Sequence, residues 1–300
     1  MDNIQTAPSL ERDLAERDDG PPDRLSLWLV NALALAGTIL FLVYNVHILL
    51  PRIFDAMALH SQWRYLFYPS LLWLIMGSVL FAFRTVIWMR YRPISPVTPD
   101  MAPTVSVIIP AYNEGSMVLR SIQSVAEARF PHDRLEILVV DDGSADDTWA
   151  HICTAAARYP DLVTPLRHDS NRGKRAALAW GFERARGEFI VSIDSDSVID
   201  RDALLALVAP FCDSRVGAVA GKVLVYNRRG LIPQMLHARY IMSFDFLRAV
   251  ESAYRNVFCC PGALTALRAS AIRPLVTRWQ AQTFLGSPCT IGEDRAMTNY

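Results

Sequence analysis

Two carboxylates separated by one residue, Asp194 and Asp196, directly follow the apolar run 188–193. In an extended strand, side chains at i and i+2 share a face. Emerging from the C-terminal end of such a strand, the pair would lie at the edge where open α/β sheets place their ligands. All-oxygen ligands suit Mg²⁺ or Mn²⁺, and an ion held this way keeps positions open for phosphate oxygens. A solvated strand end or a helix cap has the same appearance. The neighbouring sequence decides between these readings.

Other loops carry matching chemistry. Pro110-Ala111-Tyr112-Asn113-Glu114-Gly115 and Asp141-Asp142-Gly143-Ser144 each follow an apolar run. Their carboxylates can accept hydrogen bonds from a base N–H and from ribose hydroxyls, or serve as a turn and helix cap. Neither loop is a Walker or GxGxxG loop, so ordinary triphosphate or dinucleotide binding is not supported. Asn171-Arg172-Gly173-Lys174-Arg175 opens a helical pattern. Its three cations beside free backbone N–H groups make an anion site suited to a diphosphate, with a solvated basic helix start as the alternative.

The elements that position these loops alternate in type. Runs 104–110, 135–140, 162–167 and 188–193 read as strands, and 117–128, 146–157 and 174–186 as helices. That alternation predicts an α/β domain built on a mainly parallel sheet with helices on both faces. Beyond it, 216–226 reads as a further strand and 231–254 as a long helix. The stripe Ile232, Met235, Leu236, Tyr240, Phe244 and Leu247 on that helix is assigned to packing.

The chain is 52% hydrophobic with 30 basic and 30 acidic residues, so no bulk field favours nucleic acid as a partner. Five cysteines without a CxxC pair argue against a disulfide framework or a zinc site, and for a reducing compartment. Residues 1–24 form a polar tail expected to be disordered. Two apolar runs, about 25–50 and 65–89, are each long enough to cross a hydrocarbon core of about 30 Å. Residues 51–64 read as a short polar connection between them. Arg12, Arg17, Arg24, Arg84, Arg90 and Arg92 flank this hairpin, whereas Arg52 and Arg64 lie between the spans, which directs both ends to the cytoplasm. Four prolines in 93–103 predict an extended linker to the domain 104–300.

The ordered set PAYNE, VDDGS, NRGKRAAL, DSD, CCPGALTALR and GEDR resembles the family 2 glycosyltransferases with a GT-A nucleotide-sugar fold. Within them it is most similar to the membrane-embedded processive branch of hyaluronan synthases, chitin synthases and nodulation-type chitin-oligosaccharide synthases. The resemblance covers about 104–300 together with the paired spans. It implies inverting, Mn²⁺- or Mg²⁺-dependent transfer from a UDP-sugar donor to a carbohydrate acceptor or polymer, by a multi-pass enzyme of the plasma membrane. Residue by residue, it implies uridine-binding carboxylates at Glu114 and at Asp141 or Asp142, with Asp141 favoured. It also implies a diphosphate contact at Lys174, with Arg175 beside it, and metal binding by Asp194 and Asp196. Asp294 takes the role of general base, and Tyr112, Gly262, Glu293 and Arg295 are implied substrate contacts. At Gly262 the missing side chain would admit a sugar to the backbone. The NRGKR, CCPGA and GEDRAMTN wording favours N-acetylglucosamine as a donor, with a hyaluronan- or chitin-like product.

One element of that branch has no counterpart here. Its Gln-x-x-Arg-Trp motif follows the base; in this chain Arg278-Trp279 precedes Asp294, with Leu275 in place of the Gln. Tyr300 lies only six residues past Asp294, so the chain reads as a fragment. A cellulose-synthase-like glucosyltransferase would be told apart by donor preference. A non-catalytic, membrane-anchored nucleotide-sugar binder would be told apart by UDP binding without turnover.

Overall fold

The computed structural model describes residues 32, 36–37, 39–59, 64–226, 230–289 and 292–300. The expected polar tail and most of the first half of the expected first span lie outside them. The chain divides into a unit 1–83 and a unit 84–300.

In the first unit, a π-helical turn over Asn45–Leu49 leads into helix α1, Leu50–Leu59. The expected polar connection is therefore helical over most of its length. Pro51 is no obstacle, because at a helix start its missing N–H would have had no partner. Helix α2, Arg64–Arg90, begins here and contains the window Trp73–Arg90. Among the described residues, that window is the one helix stretch long and apolar enough to cross a membrane, and none of it is buried.

The second unit is built on a six-stranded sheet of order β3-β2-β1-β4-β6-β5. Its strands are β1 Val105–Ala111, β2 Leu135–Asp141, β3 Val163–Arg167, β4 Phe189–Ile193, β5 Ala218–Ala220 and β6 Leu264–Arg268. β1 through β4 pair in parallel, and β6 runs antiparallel to both β4 and β5. The strand alternation sorts side chains to two faces. Val107, Ile109, Ile137, Val139, Val191 and Ile193 enter one core with helices α3, Met117–Ala126, α4, Thr148–Arg158, and α6, Ala203–Val208. Ile108, Leu138, Val140 and Ile190 enter the other with helix α5, Lys174–Arg184. Gly181 lets α5 approach the sheet: a Cβ there would lie 2.6 Å from Ile108 Cγ2.

The alternation expected from the sequence is present, with two differences. The strand expected over 216–226 shortens to β5, Ala218–Ala220. The long helix expected over 231–254 is present as a continuous helical run to residue 253, with a π-helical stretch Ile241–Leu247 between α7, Leu231–Tyr240, and α8, Arg248–Ala253. Its apolar stripe is not core. Ile232 is 78% exposed and Met235 63%, and α7 buries no residue.

The chain then continues through α9, Ala269–Ile272, and α10, Val276–Gln280, to a small hairpin of β7, Thr283–Phe284, and β8, Ser287–Pro288. It closes on α11, Glu293–Asn299. Replacing Gly181 by alanine inserts a methyl group between α5 and β1. The expected outcome is a loss of about 1–3 kcal/mol, seen as a lower thermal unfolding midpoint.

Candidate active site

The C-terminal ends of β1, β2 and β4 point to one edge, and the antiparallel β6 begins at that same edge. Four loops therefore converge there: 111–116, 141–147, 194–200 and 259–263. The first two are stitched together. Asn113 adopts a left-handed conformation (φ 54°). Its N–H donates to Ser144 Oγ at 3.0 Å, and its Oδ1 accepts from Ala145 N–H at 2.9 Å. The N–H groups of Glu114 and Gly115 both donate to Thr148 Oγ1, at 2.8 Å each. Tyr112 is 45% exposed on this loop and Glu114 is half-buried beside it.

Asp141 and Asp142, adjacent in sequence, do different work. Asp141 is fully buried, and its Oδ1 accepts from the Ser144 N–H and hydroxyl. Its Oδ2 lies 3.0 Å from Arg167 Nε, yet has no aligned donor among the described residues. An acceptor left open in a buried carboxylate is costly unless a ligand supplies the donor. Asp142 instead is engaged by protein on both oxygens. Its Oδ1 accepts from Arg172 N–H at 3.0 Å and from His168 Nδ1 at 2.7 Å, and its Oδ2 from Gly173 N–H at 2.7 Å. His168 is itself stacked on Trp180, with ring centroids 4.6 Å apart. Asp142 thus fixes the loop that delivers Lys174. No sequence signal pointed to His168 or Arg167, because their partners lie 26 residues away in chain order.

Lys174 is the first residue of α5, and its Nζ sits 2.5 Å from Asp194 Oδ1 and 4.0 Å from Glu293 Oε1. Burial alone would pull its ammonium down. Asp194 first, then Asp294 and Glu293, outweigh that and raise its pKa above the ordinary value. Arg175 does not join this cradle: it turns inward, 7% exposed, against Trp279. Arg172 remains exposed.

β4 ends at Ile193, and the acidic pair lies in a turn closed by Ser197 N–H donating to Asp194 O at 3.0 Å. The two carboxylates therefore do not share a strand face. Asp and Ser favour local turn bonds over further extension. Asp194 is half-buried and Asp196 exposed.

Asp294 stands at the start of α11, and its Oδ2 accepts from Gly262 N–H at 2.8 Å. A Cβ on residue 262 would lie 2.8 Å from Asp294 Oδ1, so the glycine makes room for this carboxylate. Burial pushes the Asp294 pKa up. The Gly262 N–H and Lys174 pull it down, and Glu293 and Asp194 push it up; the net shift is upward. Thr298 ties the same loop to the helix: its hydroxyl accepts from Cys260 N–H at 2.9 Å and donates to Asp294 O at 2.8 Å. Arg295 is exposed. Cys260 is inert as a nucleophile, since burial pushes its thiol up to about 11.

Three carboxylates, of Asp194, Glu293 and Asp294, thus gather near one ammonium, while Asp196 stays exposed on the turn. Lys174 acts as the cation for Asp194, and the remaining negative charge, carried entirely by oxygen, fits a hard divalent cation. Among the described residues, no group of three or more His, Cys, Asp or Glu side chains is placed to hold a metal ion.

Residues 106–275 match the family described as Glycosyl transferase family 2. An N-acetylglucosaminyltransferase of Azorhizobium caulinodans is 35% identical over 200 residues, covering 66% of this chain and 50% of the relative. A hyaluronan synthase of Streptococcus pyogenes is 37% identical over 202 residues, covering 65% of this chain and 48% of its own. The chain spans about half the length of the curated relatives it matches. Among solved structures, a mannosyltransferase of Pyrobaculum calidifontis in complex with GDP-Man and Mn²⁺ is similar. It has 29% identity, a TM-score of 0.56, and coverage of 73% of this chain and 57% of the other. The matched profile covers more than half of the chain, and the sheet order and mostly parallel pairing agree with it: the chain belongs to glycosyl transferase family 2 and has the GT-A fold.

Proposed function

We propose that the protein transfers N-acetylglucosamine from UDP-N-acetylglucosamine to a hydroxyl of a growing hyaluronan- or chitin-like polysaccharide at the cytoplasmic face of a membrane. The observation that carries this reading is Lys174, set between Asp194 and the Glu293-Asp294 pair at one sheet edge. The names of the similar N-acetylglucosaminyltransferase and hyaluronan synthase support the donor and product. The apolar window Trp73–Arg90 supports the membrane site. On this reading residues 104–300 form the catalytic domain, behind a linker 93–103 and a transmembrane hairpin.

Each group then has a task. The open Oδ2 of Asp141 accepts the uracil N–H, with Tyr112 and Glu114 beside the base and ribose. Asp194 and Asp196 would hold Mn²⁺ or Mg²⁺, which when bound neutralises diphosphate charge. Lys174 exchanges part of its contact with Asp194 for the diphosphate as charge grows on the leaving UDP. Asp294 takes the proton from the acceptor hydroxyl, whose oxygen attacks the anomeric carbon from the face opposite UDP. The bond from that carbon to the UDP oxygen breaks, UDP leaves with the electron pair, and the configuration inverts. Asp294 suits a base near neutral pH because its proton affinity is already raised. Arg295 and Glu293 flank the acceptor side.

The test uses the full-length protein with Mn²⁺ or Mg²⁺ and UDP-N-acetylglucosamine, with and without UDP-glucuronate. UDP release is expected, and its absence under every donor pairing would reject the reading. Asp294→Asn is expected to abolish transfer while UDP binding stays nearly intact by calorimetry; joint loss of both removes Asp294 from the role of base. Asp141→Asn, which removes the buried carboxylate charge, is expected to weaken UDP binding about 30-fold, equivalent to about 2 kcal/mol. The pH dependence follows from the sign of the Asp294 shift, with Lys174, Glu293 and Asp194 as its charged neighbours. The rate falls as pH drops through a pKa above the ordinary aspartate value, so the acid limb of kcat/KM, which reports the free enzyme, should lie above that value.

A further inference from the structure

Trp279 does not belong to any of the motifs that carry the chemistry, yet it touches both halves of the site from behind. It is 1% exposed within α10. On one side it meets α5, the helix that begins with Lys174. Its ring packs against Phe182 at 5.8 Å between centroids, the Arg175 guanidinium lies 5.2 Å from its ring centroid, and Arg175 Nη1 donates to its carbonyl at 3.1 Å. On the other side its Nε1–H donates to the carbonyl of Glu293 at 3.1 Å, at the first turn of the helix that carries Asp294. Ala296 and Met297 of that helix pack on the same core cluster.

Arg175 makes this pillar hard to displace. It is a buried cation whose remaining acceptor is Gln282 Oε1 at 3.3 Å, while its Nε and Nη2 have no partner among the described residues. Moving the indole would strip a desolvated charge of its ring and its carbonyl, and an unpaired buried charge is strongly unfavourable. The site needs such a spacer. Lys174 and Asp294 sit on different helices, and the contact between their two elements at the front is the long Lys174–Glu293 pair at 4.0 Å.

We propose that Trp279 is a positioning residue, whose indole fixes the separation between Lys174 on the donor side and Asp294 on the acceptor side. The proposal rests on the transferase reading above. Trp279 touches no substrate, and its effect passes through the Glu293 carbonyl and the face of α5. Catalysis between groups on separate elements is sensitive to such spacing, because a misplacement of about 1 Å can cost about 100-fold in rate.

The experiment compares the full-length wild type with Trp279→Phe, which keeps an aromatic ring for Phe182 and Arg175 and removes the N–H together with part of the buried ring volume. UDP binding by calorimetry, the KM for UDP-N-acetylglucosamine and kcat for polymer formation are measured on each. The expected result is a kcat lower by roughly 10- to 100-fold with UDP affinity and donor KM within about two-fold of wild type. A purely structural role would lower UDP binding and kcat together, and that result overturns the proposal, as does an unchanged kcat. Phe182→Leu, which leaves the N–H in place but loosens the ring's support, is expected to give the same split in milder form. Should Trp279→Phe fail to fold, an unchanged kcat in Phe182→Leu overturns the proposal by itself. If the wild type releases no UDP, the transferase reading falls first and this inference with it.

Discussion

The Lys174 ammonium, held 2.5 Å from Asp194 with Glu293 at 4.0 Å, is the interaction on which the reactive edge depends. Carboxylates brought this close repel one another unless a cation stands among them. The rest of the second unit can be seen as the scaffold that delivers this one charge. Gly181 lets α5 press on β1, Asp142 and His168 fix the loop before α5, and Trp279 backs the helix start from the core. One lysine on a packed helix is positioned far more tightly than one on a free loop, because its backbone has no slack to lose.

The acidic excess gives the edge a direction. On the proposed reading, an electronegative recess attracts a divalent cation and disfavours a bare diphosphate, so metal and nucleotide would bind best together. Asp141 adds a separate device, since its buried Oδ2 lacks an aligned donor among the described residues. On the proposed reading, affinity and charge balance are supplied by different carboxylates, Asp141 at the end of β2 and Asp194 after β4, two strands on in the chain and separated by β1 in the sheet.

Much of the fold could be read in the sequence, because period-2 apolar runs and short intervening helices leave few alternatives to a doubly covered sheet. The runs 104–110, 135–140 and 188–193 became β1, β2 and β4 within a residue or two. What could not be read was anything decided by tertiary contact. The pairing of His168 with Asp142 and of Arg167 with Asp141 joins side chains 26 residues apart. The inward turn of Arg175 has no local cause, since it answers to an indole 104 residues on. The helix 231–254 failed as a packed element for the converse reason: its period was visible, but a period says only that a face is apolar and not what lies against it. The turn at Asp194-Ser195-Asp196 fell between these cases, with residue types that favour both a strand end and a local turn.

The close seat of Asp294 on the backbone of Gly262 sets a balance on one carboxylate. While the amide donates to it, it stabilises the ionised form and tempers the effect of burial. A side chain at position 262 would collide with the carboxylate and push it off that amide, so the missing Cβ governs not only the space at this loop but also how far burial can raise the proton affinity of its neighbour.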